Sequence, residues 1–179
     1  TVISLLIIEI ALRFLGYSPW SYISSSNPSI YGFDEKLGWK SKKGVYEIKA
    51  SEKYNITSKI NILDEGNRVV KIDNINKNKI IVIGGSFSQG WGVDDKETFS
   101  FKIQKNLDNY KVKNFSQGGY GTVQSYLLLE DVLKNNNNVK LVIYGFIDHH
   151  EYRNVARGEW LELLLKYSNI GYSSPPKVP

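Results

Sequence analysis

Hydrophobic residues run almost unbroken from Val2 to Leu15, with Ser4, Glu9 and Arg13 as the polar interruptions, and the run stops at Gly16 ahead of Tyr17, Pro19 and Trp20. With no broad polar face, this pattern reads as a helix ending at an interface. It is shorter than the roughly 20 residues a helix needs to span a bilayer. Glu9 and Arg13 stand one helical turn apart and can neutralise each other, and the Arg13 head can reach toward lipid headgroups. The expectation is a truncated membrane anchor over residues 1–18. An amphipathic helix packed on the domain is the alternative.

From Pro19 to about Asn78 the chain is rich in Ser, Asn, Lys, Gly and Tyr. Short alternating stretches, Val45 to Ile48 and Val69 to Ile72, predict edge strands or a hairpin layer, with Asp64-Glu65-Gly66 as a turn. The pattern changes at Ile80-Ile81-Val82-Ile83, a continuous β-branched run closed by Gly84-Gly85, which is how a strand buried on both faces reads. Asp94 and Asp95 then offer an N-cap, and Phe99, Ile103 and Leu107 share one helical face. A strand follows over about 110–115, a loop over 116–121, and a helix over 122–134 with Val123, Tyr126, Leu127 and Leu133 available for burial. The last strand covers 139–146, and the Asn135 to Asn138 run reads as a polar loop. Strand, helix, strand, helix, strand with short links predicts a right-handed parallel βαβαβ unit, hence an α/β fold with a parallel central sheet between helical layers. The units expected are residues 1–18, 19–78 and 79–179.

Composition adds exclusions. The net charge of +5 over 179 residues comes from scattered lysines such as Lys40, Lys42, Lys43, Lys77 and Lys79, not from one stripe, so a nucleic-acid partner is not expected. Zero cysteines exclude disulfides, thiolate metal sites and a cysteine nucleophile. The two histidines, His149 and His150, are adjacent and usually diverge, so neither a metal site nor a cofactor is expected. The chain carries no methionine and begins at Thr1, which suggests a processed or cut N-terminus.

In a parallel sheet, ligands bind where the strands end at their carboxyl side. The loops there carry Gly84-Gly85-Ser86-Phe87-Ser88-Gln89-Gly90-Trp91-Gly92, then Asn114-Phe115-Ser116-Gln117-Gly118-Gly119-Tyr120-Gly121, then Gly145-Phe146-Ile147-Asp148-His149-His150. Ser86 directly follows a buried strand and precedes a helix start. An exposed hydroxyl there, beside its own backbone N–H, suits a nucleophile that also donates to an oxyanion. A serine in this place is equally a simple cap. The first loop lacks the Lys-Ser/Thr ending of an NTPase phosphate loop, and its glycines miss the G-x-G-x-x-G spacing of dinucleotide folds. Ser88 stands where the G-x-S-x-G elbow needs its second glycine.

Over Ile80 to Asn154 these segments resemble the SGNH, or GDSL-like, hydrolases and acyltransferases, in particular the membrane-anchored bacterial branch. Gly84 to Val93, with Glu97-Thr98-Phe99 downstream, is similar to that family's first block, whose serine, here Ser86, is the nucleophile. Asn114 through Thr122, with Gln124, is similar to the second, whose glycine, here Gly119, gives a backbone N–H to the oxyanion hole. Leu141 to Asn154, including Arg153 and Asn154, is similar to the third. The apolar N-terminus and Leu37-Gly38-Trp39 also resemble the anchored members. The resemblance implies a flavodoxin-like three-layer fold, serine-dependent hydrolysis or transfer of an acyl ester, an O-acylated cell-envelope carbohydrate as substrate, and a domain on the extracytoplasmic side of the membrane.

Three departures stand out. Gly85 replaces an aspartate common in the family. The asparagine completing the oxyanion hole is absent, its place falling on Asp148 or His149; a histidine can donate a hydrogen bond there and an ionised aspartate cannot, so His149 is favoured. The family's catalytic Asp-x-x-His is also absent. The expectation is that the sequence is a fragment whose base lies beyond Pro179, with His149 or His150 as a substitute base if it is complete. The rival expectation is a non-catalytic carbohydrate-binding or scaffolding domain on the same fold.

Overall fold

The computed structural model describes residues 2–16, 29–51, 56–70 and 78–155. The expected Ile72 end of a short strand and everything after Val155 lie outside these residues. Helix α1 (Val2–Phe14) is exposed along its length and buries none of its residues. No helix among the described residues is long and apolar enough to cross a membrane.

The parallel unit forms as the pattern predicts. Strands β5 (Lys79–Gly84), β6 (Lys111–Asn114) and β7 (Val139–Gly145) make a sheet in the order β6-β5-β7, with β5 in the middle. Both neighbours run parallel to β5, from Lys79 opposite Lys111 on one side to Gly84 opposite Gly145 on the other. The central position explains the β-branched run: Ile81, Val82 and Ile83 are at most 1% exposed. Burying each such side chain is worth roughly 1.5–3 kcal/mol.

Alternation along β5 sends its residues to two cores. Ile81 and Ile83 pack with Phe115, Tyr120, Leu128 and Val132, under helix α4 (Thr122–Asn135). Ile80 and Val82 pack with Val70 and Val112, against Phe101 and Ile103 of α3 (Phe99–Asn106). Helices therefore flank the sheet, as both-face burial requires.

Helix faces differ in detail from the expected ones. In α4 the buried residues are Ser125, Leu128 and Val132, spaced by three and four, while Val123, Tyr126 and Leu133 are exposed. In α3 the buried positions are Ser100 and Gln104, with Phe99 and Leu107 at the rim. Polarity misleads here because Gln104 is a structural tie. Its amide donates to the carbonyls of Leu107 and Tyr110 and its oxygen accepts from Val112 N–H at 2.8 Å, fastening α3 to β6. Thr98, not an aspartate, caps α3 by accepting from Phe101 N–H, whereas Asp94 caps the 3₁₀ turn Asp95–Glu97.

The preceding region supplies two antiparallel hairpins. One pairs β1 (Tyr31–Asp34) with β2 (Gly38–Ser41), and the other pairs β3 (Gly44–Ser51) with β4 (Ile56–Ile62). The expected turn at Asp64 to Gly66 is present, closed by Gly66 N–H on Leu63 O. Val69 and Val70 form no strand. Arg68 instead bridges Ile62 on one side and Asn114 on the other, stitching the second hairpin to the edge of the parallel sheet.

Candidate active site

Glycines shape the turn leaving β5. Gly84 sits at φ +148°, and a methyl there would fall 2.7 Å from Ser88 Oγ and 2.8 Å from Gly145 O. Gly85 then caps a single helical turn, α2 (Ser86–Gln89), which Gly90 ends in the left-handed region at φ +83°. Ser86 is the first residue of this turn and is half-buried; Ser88 and Gln89 are buried. At a helix start the N–H has no partner within the turn. Among the described residues, Ser86 N–H has no acceptor.

The other end of this turn rests on a side chain that the sequence does not advertise. Arg68 is 1% exposed. Its Nη1 donates to Gln89 O at 2.9 Å and to Gly90 O, its Nη2 to Val93 O and Lys59 O, and its Nε to Asp95 Oδ1 at 2.7 Å. A planar cation with five donors suits so many convergent oxygens. Asn114 adds a second tie, donating from Nδ2 to Ser88 O at 2.8 Å and to Ser100 Oγ. Arg68 lies in the region read as short strands, and a lone arginine there gave no signal.

The second loop is joined to the first through Tyr31. Its hydroxyl donates to Gln89 Oε1 at 2.8 Å and accepts from Gly118 N–H at 3.0 Å. Burial drives this hydroxyl's pKa well upward, so it stays protonated. A side chain on Gly118 would collide with it. Gly119 follows at φ +85°, and among the described residues its N–H has no acceptor. Buried Gln117 accepts from Ser41 N–H and Oγ, while its own N–H donates to Gly84 O, setting the two loops side by side. Trp91 stacks on Tyr31 with ring centroids 6.3 Å apart.

The third segment comes in beneath them. Helix α5 (His149–Asn154) begins after Asp148, and both Asp148 and His149 are exposed. His150 is fully buried. Its Nδ1 lies 2.7 Å from the Tyr144 hydroxyl, which is 2.9 Å from Thr122 Oγ1, while Nε2 is buried with no hydrogen-bond partner among the described residues. Desolvation, then the charges of Arg153 and His149, lower the pKa of His150, so the ring is neutral at pH 7. A methyl on Gly85 would fall 2.7 Å from that Nε2, 3.0 Å from Arg153 Nη1 and 3.3 Å from Tyr120 O. Arg153 and Asn154 tie α5 to its neighbours: Arg153 donates to Tyr120 O at 3.1 Å, and Asn154 Oδ1 accepts from Val123 N–H at 3.1 Å.

All three predicted loops therefore meet around Gly85, with Ser86 beside them. Among the described residues no histidine is hydrogen-bonded to Ser86, and none of their His, Asp and Glu side chains group in threes to hold a metal. A cleft of about 510 Å³ lies elsewhere, lined by residues including Lys40, Glu65, Asp131 and Asn136, and Ser86, Gly119 and His149 take no part in it. No protein-family model matches this chain, and the search of curated proteins returned no match.

Proposed function

We propose that the chain carries the nucleophile and oxyanion donors of an SGNH-type, flavodoxin-like ester hydrolase or O-acyltransferase. The observation that carries this reading is that two backbone N–H groups, on Ser86 and Gly119, have no acceptor among the described residues and lie in loops tied together through Tyr31 and the Gln117–Gly84 bond. In this reading Ser86 Oγ bonds to the acyl carbon, and the two N–H groups bear the charge that develops on its oxygen. His149, the exposed one of the imidazole pair, is the third donor, while the buried His150 and the exposed Asp148 stay in supporting roles. The base that accepts the Ser86 proton and returns it to the leaving alcohol is the histidine that the resemblance places after this unit. Water or an acceptor hydroxyl then takes the acyl group.

The substrate class proposed is an O-acylated cell-envelope carbohydrate, with α1 as part of an anchor that holds the domain at the outer face of a membrane. A fluorophosphonate probe tests the chemistry: covalent labelling lost in Ser86→Ala supports it, and labelling of the complete gene product that does not depend on Ser86 counts against it. A second reading, a carbohydrate-binding or scaffolding domain without catalysis, is favoured by the absence of a histidine on Ser86 among the described residues. Glycan binding without any labelling would select it.

A further inference from the structure

The turn that presents Gly119 carries a hydrogen bond on its central peptide from a side chain distant in sequence. Gln117 to Tyr120 form a β-turn, closed by Tyr120 N–H on Gln117 O, with φ +85° at its third residue, Gly119. That φ belongs to a type II turn. Type I and type II turns differ by a half-rotation of their central peptide, here the Gly118–Gly119 unit. The carbonyl of this unit accepts the Trp39 indole N–H at 2.9 Å. In a planar trans peptide the N–H points away from the carbonyl, so anchoring the oxygen on Trp39 aims the Gly119 N–H to the other side. A hydrogen bond on the carbonyl also polarises the unit and strengthens its N–H as a donor.

The indole is itself held firmly. Trp39 lies in β2, its own carbonyl accepts the Tyr120 hydroxyl, and its ring meets that of Tyr120 edge-on at 5.4 Å. On the near side of the turn, Tyr31 occupies the Gly118 N–H. The Gly119 N–H alone is left without an acceptor in this stretch among the described residues.

We propose that Trp39 is a positioning residue that selects the type II form of the Gln117–Tyr120 turn and so presents Gly119 N–H to an oxyanion. This rests on the reading of Ser86 as nucleophile. It assigns a task to Leu37-Gly38-Trp39, a motif that the chemistry of the three loops leaves unused. Trp39 touches no reacting atom; it acts through one peptide.

The test replaces Trp39 in the complete protein by β-(3-benzothienyl)alanine, which keeps the bicyclic shape and puts sulfur where the N–H was. Trp39→Phe serves as a second variant. The expected result is a saturating rate of Ser86 labelling by fluorophosphonate about 10- to 100-fold lower, somewhat less than the loss of a whole oxyanion donor. The half-saturating probe concentration and the melting temperature stay near wild type in the benzothienyl variant. With ¹⁵N-glycine labelling, Gly119 gives one amide signal in the wild type and an exchange-broadened or doubled signal in the variant. Unchanged labelling, or slower labelling with an unchanged Gly119 signal, overturns the proposal. If the wild type does not label at Ser86, the reading of the nucleophile fails, and the glycine spectrum still decides whether the indole sets the turn.

Discussion

Arg68 and Asp95 form a buried ion pair, Nε to Oδ1 at 2.7 Å, with the arginine side chain fully buried and the aspartate 12% exposed. The same guanidinium holds the carbonyls at the end of the Ser86 turn, and Asp95 also accepts from Asn61 of β4. The pair thus couples the hairpin layer to the candidate nucleophile.

Arg68→Met removes the guanidinium donor from four backbone carbonyls and leaves the Asp95 carboxylate without its cation in a largely buried setting. Breaking a buried pair in this way costs about 3–5 kcal/mol. Urea unfolding is expected to show a loss of that order. Lys43→Ala, which breaks an exposed pair with Asp64, leaves the unfolding midpoint unchanged.

Gly85→Ala places a methyl 2.7 Å from His150 Nε2 and 3.0 Å from Arg153 Nη1. Overpacking of this kind costs about 1–3 kcal/mol. Because the nearest neighbour is the His150 side chain, His150→Ala is expected to recover part of the loss. A double-mutant cycle by thermal unfolding reads this as a favourable coupling between the two substitutions. Simple additivity would place the clash elsewhere.

Burial and its charged neighbours hold the pKa of His150 below its ordinary 6.5. The unfolded chain therefore binds the proton more readily than the folded one. Stability is full above about pH 6.5, falls as pH drops below it, and levels off beneath the lowered folded value. His150→Asn keeps a group for Tyr144 and cannot titrate. The difference between wild-type and variant unfolding free energies is expected to shrink on acidification from pH 7 to pH 5, and a difference independent of pH would contradict it.

Much of the parallel unit was legible because its signals are local. A both-face buried strand needs an unbroken apolar run, and Ile80 to Ile83 has one; a tight exit from it needs glycine, and Gly84 with Gly85 supplies it. The turn at Ser86 and the three-strand succession follow from such local rules. The hairpins were legible only in part, since alternation showed Val45 to Ile48 while Arg68 replaced the strand expected after it.

Sequence by itself determined the strand and helix succession of the parallel unit and which loops share its sheet edge, since both depend on periodicity and steric demands within a few residues. Tertiary structure alone decided which histidine is buried, which helix faces turn inward, and that Tyr31, Trp39 and Arg68 brace the turns bearing Ser86 and Gly119. Those outcomes depend on hydrogen bonds between residues up to 87 positions apart, as from Tyr31 to Gly118. No local pattern encodes such a partner, because a polar or aromatic side chain reads the same in sequence whether it meets water or a buried peptide.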